Sequence, residues 1–311
     1  MTRTRRATLA VLLALAPVAL AACGGERGEG SKPDGGKPSI VVTYSILGAI
    51  VGELVGDQAD VTVVMPDGVD PHEYQASAKD VESMTKADLV VENGLDLEEG
   101  LLGALQEARD AGVPTFTTSD HIDVRTVGEG EATEPDDPDQ QPGAKDPHLW
   151  LDPISMEEIV EALGPIIGER LGLDVADRAS ELQRKLEELN AQGADRLSVV
   201  PSESRKLVTG HESMGYFARR YDFELLGALI PSLSSAAEVS ASELAGLKRT
   251  IEEEHVPAIF TELGTPKQVA DAIGEETGVR VVEIATHGLP EDGSYFTFMK
   301  DVCDRVANGL Q

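Results

Sequence analysis

Six histidines occur in the 311-residue chain, and four stand in short segments built to hold a side chain in place. His72 lies in "PDGVDPHEY", His148 in "KDPHLWLDP", His211 opens "HESMGYF", and His287 stands in "ATHGLPEDG". Imidazole is the commonest neutral metal ligand, and a coordination shell needs several imidazoles on rigid supports. Pro71 and Pro147 fix the backbone immediately before two of them. The other two histidines read as structural. His121 sits in a polar stretch, and His255 ends a predicted helix, where an imidazolium interacts favourably with the dipole. Three histidines around zinc with one open position would also suit a hydrolase, the less favoured alternative. His211-Glu212 begins like the helical zinc-protease motif, but position 215 is Gly215. No nucleophile elbow, phosphate loop or dinucleotide fingerprint appears.

The elements that would carry these histidines form a β/α alternation that runs twice. In the first half, "SIVVTY", "DVTVVMP", "DLVVENG" and "VPTFTT" read as strands, with helices over 45–55, 77–86 and 97–111. In the second, "KLVTG", "FELLGAL", "PAIFTE" and "VRVVEIA" are strands, with helices over 213–221, 241–254, 266–277 and from about 294. Between the halves, Asp152 caps a helix with Pro153 at its first position. A helix of about 25 residues follows, roughly 38 Å long at about 1.5 Å per residue, with Asp174 as its expected cap and the length of a spine between lobes. Such alternation predicts an α/β protein with two lobes, each a mostly parallel sheet flanked by helices, joined by one long rigid spine helix. At 41% hydrophobic residues, the chain has material for a core in each lobe. Ligands of such sheets collect beyond the carboxyl ends of the strands, where all four histidines fall, with Trp150 and Leu151 anchoring a segment that holds His148 at the cleft mouth.

The N-terminus is read apart from the fold. Arg3, Arg5 and Arg6 precede an apolar run, Ala7 to Ala22, too short for a bilayer span, as in an export signal over 1–22. Its end, Leu20-Ala21-Ala22-Cys23-Gly24, resembles the bacterial lipobox, which implies that Cys23 is acylated and anchors the chain outside the cytoplasm. A flexible tether follows over 23–38, then an N-terminal lobe over 39–152, connecting helices over 153–200 and a C-terminal lobe over 201–311. Cys303 is the only other cysteine, so no intramolecular disulfide is expected after lipidation of Cys23. Loss of three arginines with the signal leaves 23 Lys+Arg against 56 Asp+Glu, a net charge of −33. That surface repels nucleic acid and anionic headgroups, and most of it reads as a solvated acidic face. The acidic loop 128–145 carries Glu129, Glu131, Glu134, Asp136, Asp137 and Asp139, and reads as a solvated linker, with weak cation gathering as the alternative.

Taken together, "DPHEY", "DPHLWLDP", "HESMGYF" and "GSYFTFM" resemble the solute-binding lipoproteins of zinc and manganese ABC transporters, the cluster A-I or TroA-like group. The resemblance covers nearly the whole mature chain. It implies two α/β lobes joined by a rigid helix, a metal between them, delivery to a membrane permease, and no enzymatic role. His72, His148 and His211 fall on the family's ligand positions. Histidine at the third is similar to the zinc branch, since many manganese-binding relatives carry glutamate there, so Zn²⁺ is the expected ion and a manganese receptor the alternative. An adhesin is a further alternative, and a monomeric state is expected. Two departures stand out: the loop before the second ligand lacks the histidines common in the zinc branch, and His287 occupies what resembles the place of the fourth ligand, usually aspartate. Glu291 and Asp292, a few residues on, are the carboxylate alternatives to His287.

Overall fold

The computed structural model describes residues 36–128 and 142–311. Cys23, the signal and tether segments up to residue 35, and the acidic residues from Glu129 to Asp139 lie outside the described residues.

The first lobe is built on β1 (Ser39–Tyr44), β2 (Asp60–Met65), β3 (Leu89–Glu92) and β4 (Thr115–Thr117). All pair in parallel, in the order β2-β1-β3-β4. Parallel strands require crossovers, which α1 (Ser45–Val55), α2 (Ala78–Thr85) and α3 (Leu102–Asp110) supply. Because helices cover the sheet, its central strands read as continuous apolar runs: Ile40, Val41 and Val42 of β1 and Leu89, Val90 and Val91 of β3 are all buried. The second lobe repeats the plan with β5 (Lys206–His211), β6 (Glu224–Ile230), β7 (Ala258–Thr261) and β8 (Arg280–Glu283), in the order β6-β5-β7-β8. Its helices are α6 (Gly215–Tyr221), α7 (Ala241–Glu254), α8 (Lys267–Thr277) and α9 (Tyr295–Gly309).

Between the sheets lie α4 (Pro153–Leu171) and the spine, α5 (Ala176–Leu197), whose 22 residues extend about 33 Å. Leu182, Leu186, Leu189, Gly193 and Leu197 form its buried stripe at helical spacing. Polar ties hold both ends. Arg178 donates to the Glu53 carbonyl in α1 at 3.2 Å, and Arg196 bonds to Asp304 and Asn308 of α9. Asp174 accepts the Ala176 N–H at 3.4 Å from just outside the helix, whose flanking residue is Val175.

Two expectations change. The predicted helix over 97–111 shortens to α3 from Leu102, behind a single 3₁₀ turn, because Leu95 and Asp96 take positive φ (58° and 59°) and the buried Glu98 carboxylate claims the Asn93 and Gly94 N–H groups. Nor does each lobe have a separate core. One apolar cluster runs from β1 and β3 through Trp150, α4 and the spine to Tyr216, Phe260 and α9. A second, smaller cluster of Val208, Leu229, Leu247, Ile251, Ile259 and Ile273 fills the face of the second sheet under α7 and α8. The helices join them: α4 and α5 pack against α1 of the first lobe and against each other, α5 also packs on α9, and α9 lies on β7 and β8 of the second.

Candidate metal centre

Each of the four histidines leaves a strand's carboxyl end by a different route. His72 lies in the turn after β2, His148 precedes α4, His211 is the last residue of β5, and His287 stands between β8 and α9. The fold brings all four together, one ring nitrogen from each lying within 4.8 Å of the others. Nε2 of His148 is 3.2 Å from Nε2 of His72 and 3.2 Å from Nε2 of His211. Nε2 of His287 is buried with no hydrogen-bond partner among the described residues. Ligand nitrogens about 2.0–2.1 Å from a tetrahedral zinc stand about 3.3 Å apart, so the spacing suits an ion at the centre. His148 does not sit at the cleft mouth as expected: it is fully buried, its ring 5.4 Å from that of Trp150.

Local chemistry explains how each ring is aimed. In Asp146-Pro147-His148, Asp146 Oδ1 accepts both the backbone N–H and Nδ1 of His148 at 2.9 Å, closing the turn around the proline. Its other oxygen pairs with Arg125 at 3.1 Å. Asp70-Pro71-His72 repeats the backbone half of the device, Asp70 Oδ1 accepting the His72 N–H at 3.0 Å, while Nδ1 of His72 has no hydrogen-bond partner among the described residues. Asn93 braces the first lobe, taking the Tyr44 hydroxyl and donating to the Pro147 carbonyl at 2.9 Å. On the other side, Glu262 Oε1 accepts the His211 N–H at 3.0 Å and lies 2.9 Å from its Nδ1, an electrostatic contact rather than a well-aligned hydrogen bond. The Thr286 hydroxyl donates to Glu262, which leaves its oxygen to accept Nδ1–H of His287 at 2.8 Å. That tautomer leaves Nε2 of His287 with a free lone pair. Trp150 knits the two sides, its indole N–H donating to the Thr286 carbonyl at 2.8 Å while Tyr295 donates to the Trp150 carbonyl at 2.8 Å.

Electrostatics prepare the rings for a cation. Burial, reinforced by the neighbouring imidazoles, holds His72 well below its ordinary range. Burial also lowers His148 against the pull of Asp146, and burial and His211 bring His287 down to about 4. For His211 burial works in the same direction, but the Glu262 carboxylate overcomes it and the net shift is upward. Near neutral pH, then, at least three rings offer lone pairs rather than protons.

Neither carboxylate alternative joins the cluster. Glu291 and Asp292 are exposed, and Asp292 is held at the approach to α9, accepting from the N–H of the capping residue Ser294 at 3.0 Å and from the Thr297 hydroxyl at 2.7 Å. His121 stacks on Phe116 and His255 takes the left-handed conformation that ends α7, both away from the centre. The sequence reading missed Asp70, Asp146, Glu262 and Thr286. A signal existed for the first two, since Asp-Pro-His occurs twice, but nothing local marks Glu262.

Comparison with known proteins shows the family and the fold. Residues 40–309 match the profile of the family described as zinc-uptake complex component A, periplasmic. The zinc-binding protein TroA of Treponema pallidum is 31% identical over 255 residues, covering 80% of this chain and 78% of the relative. The manganese-binding lipoprotein MntA of Halalkalibacterium halodurans is 29% identical over 309 residues, covering 96% and 97%. The solved structure of the Treponema pallidum periplasmic zinc-binding protein TroA superposes with a TM-score of 0.75 at 27% identity, covering 88% of this chain and 99% of that one. Two parallel-sheet lobes, a histidine cluster at their strand ends and a profile match over most of the chain place this protein in the zinc-uptake component A family of periplasmic metal-binding receptors of ABC importers.

Proposed function

We propose that this receptor captures Zn²⁺ through His72, His148, His211 and His287 and delivers it to the permease of an ABC importer. The observation that carries this reading is the convergence of four buried ring nitrogens, with no carboxylate among them. Imidazole suits a borderline ion such as Zn²⁺, whereas Mn²⁺ is better served by carboxylate, carbonyl and water oxygens. The similarity to a manganese-binding lipoprotein favours manganese as the second reading, but an all-nitrogen shell argues against it.

Four protein ligands complete a tetrahedral shell, whereas a catalytic zinc keeps one position for water or substrate. That supports cargo binding over hydrolysis, in keeping with a family of binding proteins. Among the described residues no helix is long and apolar enough to cross a membrane. Attachment through a lipid on Cys23, with the receptor acting as a monomer, completes the proposal.

Metal content of the purified protein, followed by a Zn²⁺ titration against competing Mn²⁺, tests the choice of ion. Zinc should displace manganese at equal concentration; equal competition by Mn²⁺ would refute the zinc reading.

A further inference from the structure

Four neutral imidazoles leave a bound dication with its whole charge, so the compensating charge must stand one step behind the ligands. Four carboxylates are buried there: Glu212, which follows His211 in the chain, and Asp70, Asp146 and Glu262, which each accept a ligand histidine's backbone N–H. Asp146 is paired with Arg125. Asp70 is held by the His72 N–H and by the Ser235 hydroxyl at 2.6 Å, with no lysine or arginine in ion-pair reach among the described residues. Glu262 likewise has no such cation. Its oxygens receive the His211 N–H, the Ser213 hydroxyl at 2.8 and 2.9 Å, and the Thr286 hydroxyl, and the His211 ring lies against it.

Glu262 therefore touches both ligands of the second lobe. It reaches His211 directly and His287 through one hydroxyl, and the chain Nδ1–H to Thr286 to Glu262 has only one direction of donation that leaves Nε2 of His287 free for an ion. The space is exact: a Cβ on Gly210, the residue before His211, would stand 3.0 Å from the Glu262 side chain and 2.1 Å from the Thr265 hydroxyl. On the four-imidazole reading, we infer that Glu262 is a positioning residue for metal capture, orienting His211 and His287 together and supplying negative charge that the ligands themselves lack. Carboxylates behind metal-bound histidines fix ring orientation and raise ligand basicity, which is the role assigned here.

The test compares Zn²⁺ affinity and the visible spectrum of the Co²⁺-loaded protein in Glu262→Gln, Thr286→Val and His287→Ala, with melting temperature measured alongside. Glu262→Gln should weaken Zn²⁺ binding by about 10–100-fold, the usual cost of losing such a partner. Thr286→Val leaves the Glu262–His211 contact intact, so it should weaken binding less and reduce the intense bands of tetrahedral Co²⁺ as His287 loosens. In the His287→Ala background Thr286→Val should cost nothing further, because the two act as one unit; a merely structural threonine would give additive losses and an unchanged spectrum. Should Glu262→Gln fail to fold, the Thr286→Val pair still decides. Wild-type affinity and spectrum in Thr286→Val, alongside a clear loss in His287→Ala, would overturn this inference alone. Wild-type affinity in His287→Ala would instead overturn the four-imidazole reading beneath it.

Discussion

His287→Ala removes one of four ring nitrogens that converge within 4.8 Å, and the cost can be worked out. Structural zinc sites with four ligands bind with about 10–16 kcal/mol at neutral pH, an even share of about 2.5–4 kcal/mol per ligand. Water entering the vacated position restores part of it, leaving about 3 kcal/mol, or roughly a hundredfold in affinity at about 1.4 kcal/mol per decade. The His287 ring is buried and stacked 5.3 Å from that of His211, and among the described residues no fifth histidine, cysteine or carboxylate lies in the cluster. Competition with a chromophoric zinc chelator at neutral pH measures the change. Trp150, the chain's only tryptophan, lies 5.5 Å ring to ring from His287 and gives a second readout through its fluorescence. Asp292→Ala and Glu291→Ala serve as controls and should bind as wild type. An unchanged affinity in His287→Ala, or a hundredfold loss in either control, would refute the assignment of the fourth ligand.

Gly215→Ala should lower stability by about 1–3 kcal/mol in urea denaturation and weaken metal binding, because its Cβ would stand 2.2 Å from the Asp146 oxygen opposite the one that aims His148. Glu98 offers a pH test: burial pushes its carboxyl from 4.5 up to about 7, so its stabilisation is present below about 4.5 and lost as pH rises through 7. Relative to Glu98→Gln, the wild type should lose about 3 kcal/mol between pH 4.5 and pH 9, and a difference independent of pH would contradict it. Since one core runs through both lobes and a continuous helix has no loop to absorb large dihedral changes, small-angle scattering should give the same radius of gyration with and without metal; a large contraction would rule out the rigid spine.

The two-lobed α/β plan was legible in the chain because its signals are local. Strand runs of β-branched residues, the Asp152-Pro153 cap and the leucine stripe of α5 each lie within one or a few turns of chain, and the strand–helix alternation recurs in the same order in both halves. The four histidines were legible for a related reason, since each follows a strand, and parallel sheets put all such positions on one edge. Tertiary packing settled what that edge looks like from inside. Glu262 is 51 residues from the His211 N–H it accepts and 24 from the Thr286 hydroxyl, while the Trp150 indole reaches a carbonyl 136 residues away. A glutamate in "FTELG" reads locally as an ordinary strand end; only the closeness of β5, β7 and the loop after β8 turns it into a shared acceptor for two rings. The burial of His148, the holding of Asp292 by Ser294 and Thr297 outside the cluster, and the apolar cluster shared by the two lobes have the same cause. Each depends on which distant surfaces exclude water together, and burial is a property of contacts between segments rather than of any segment alone.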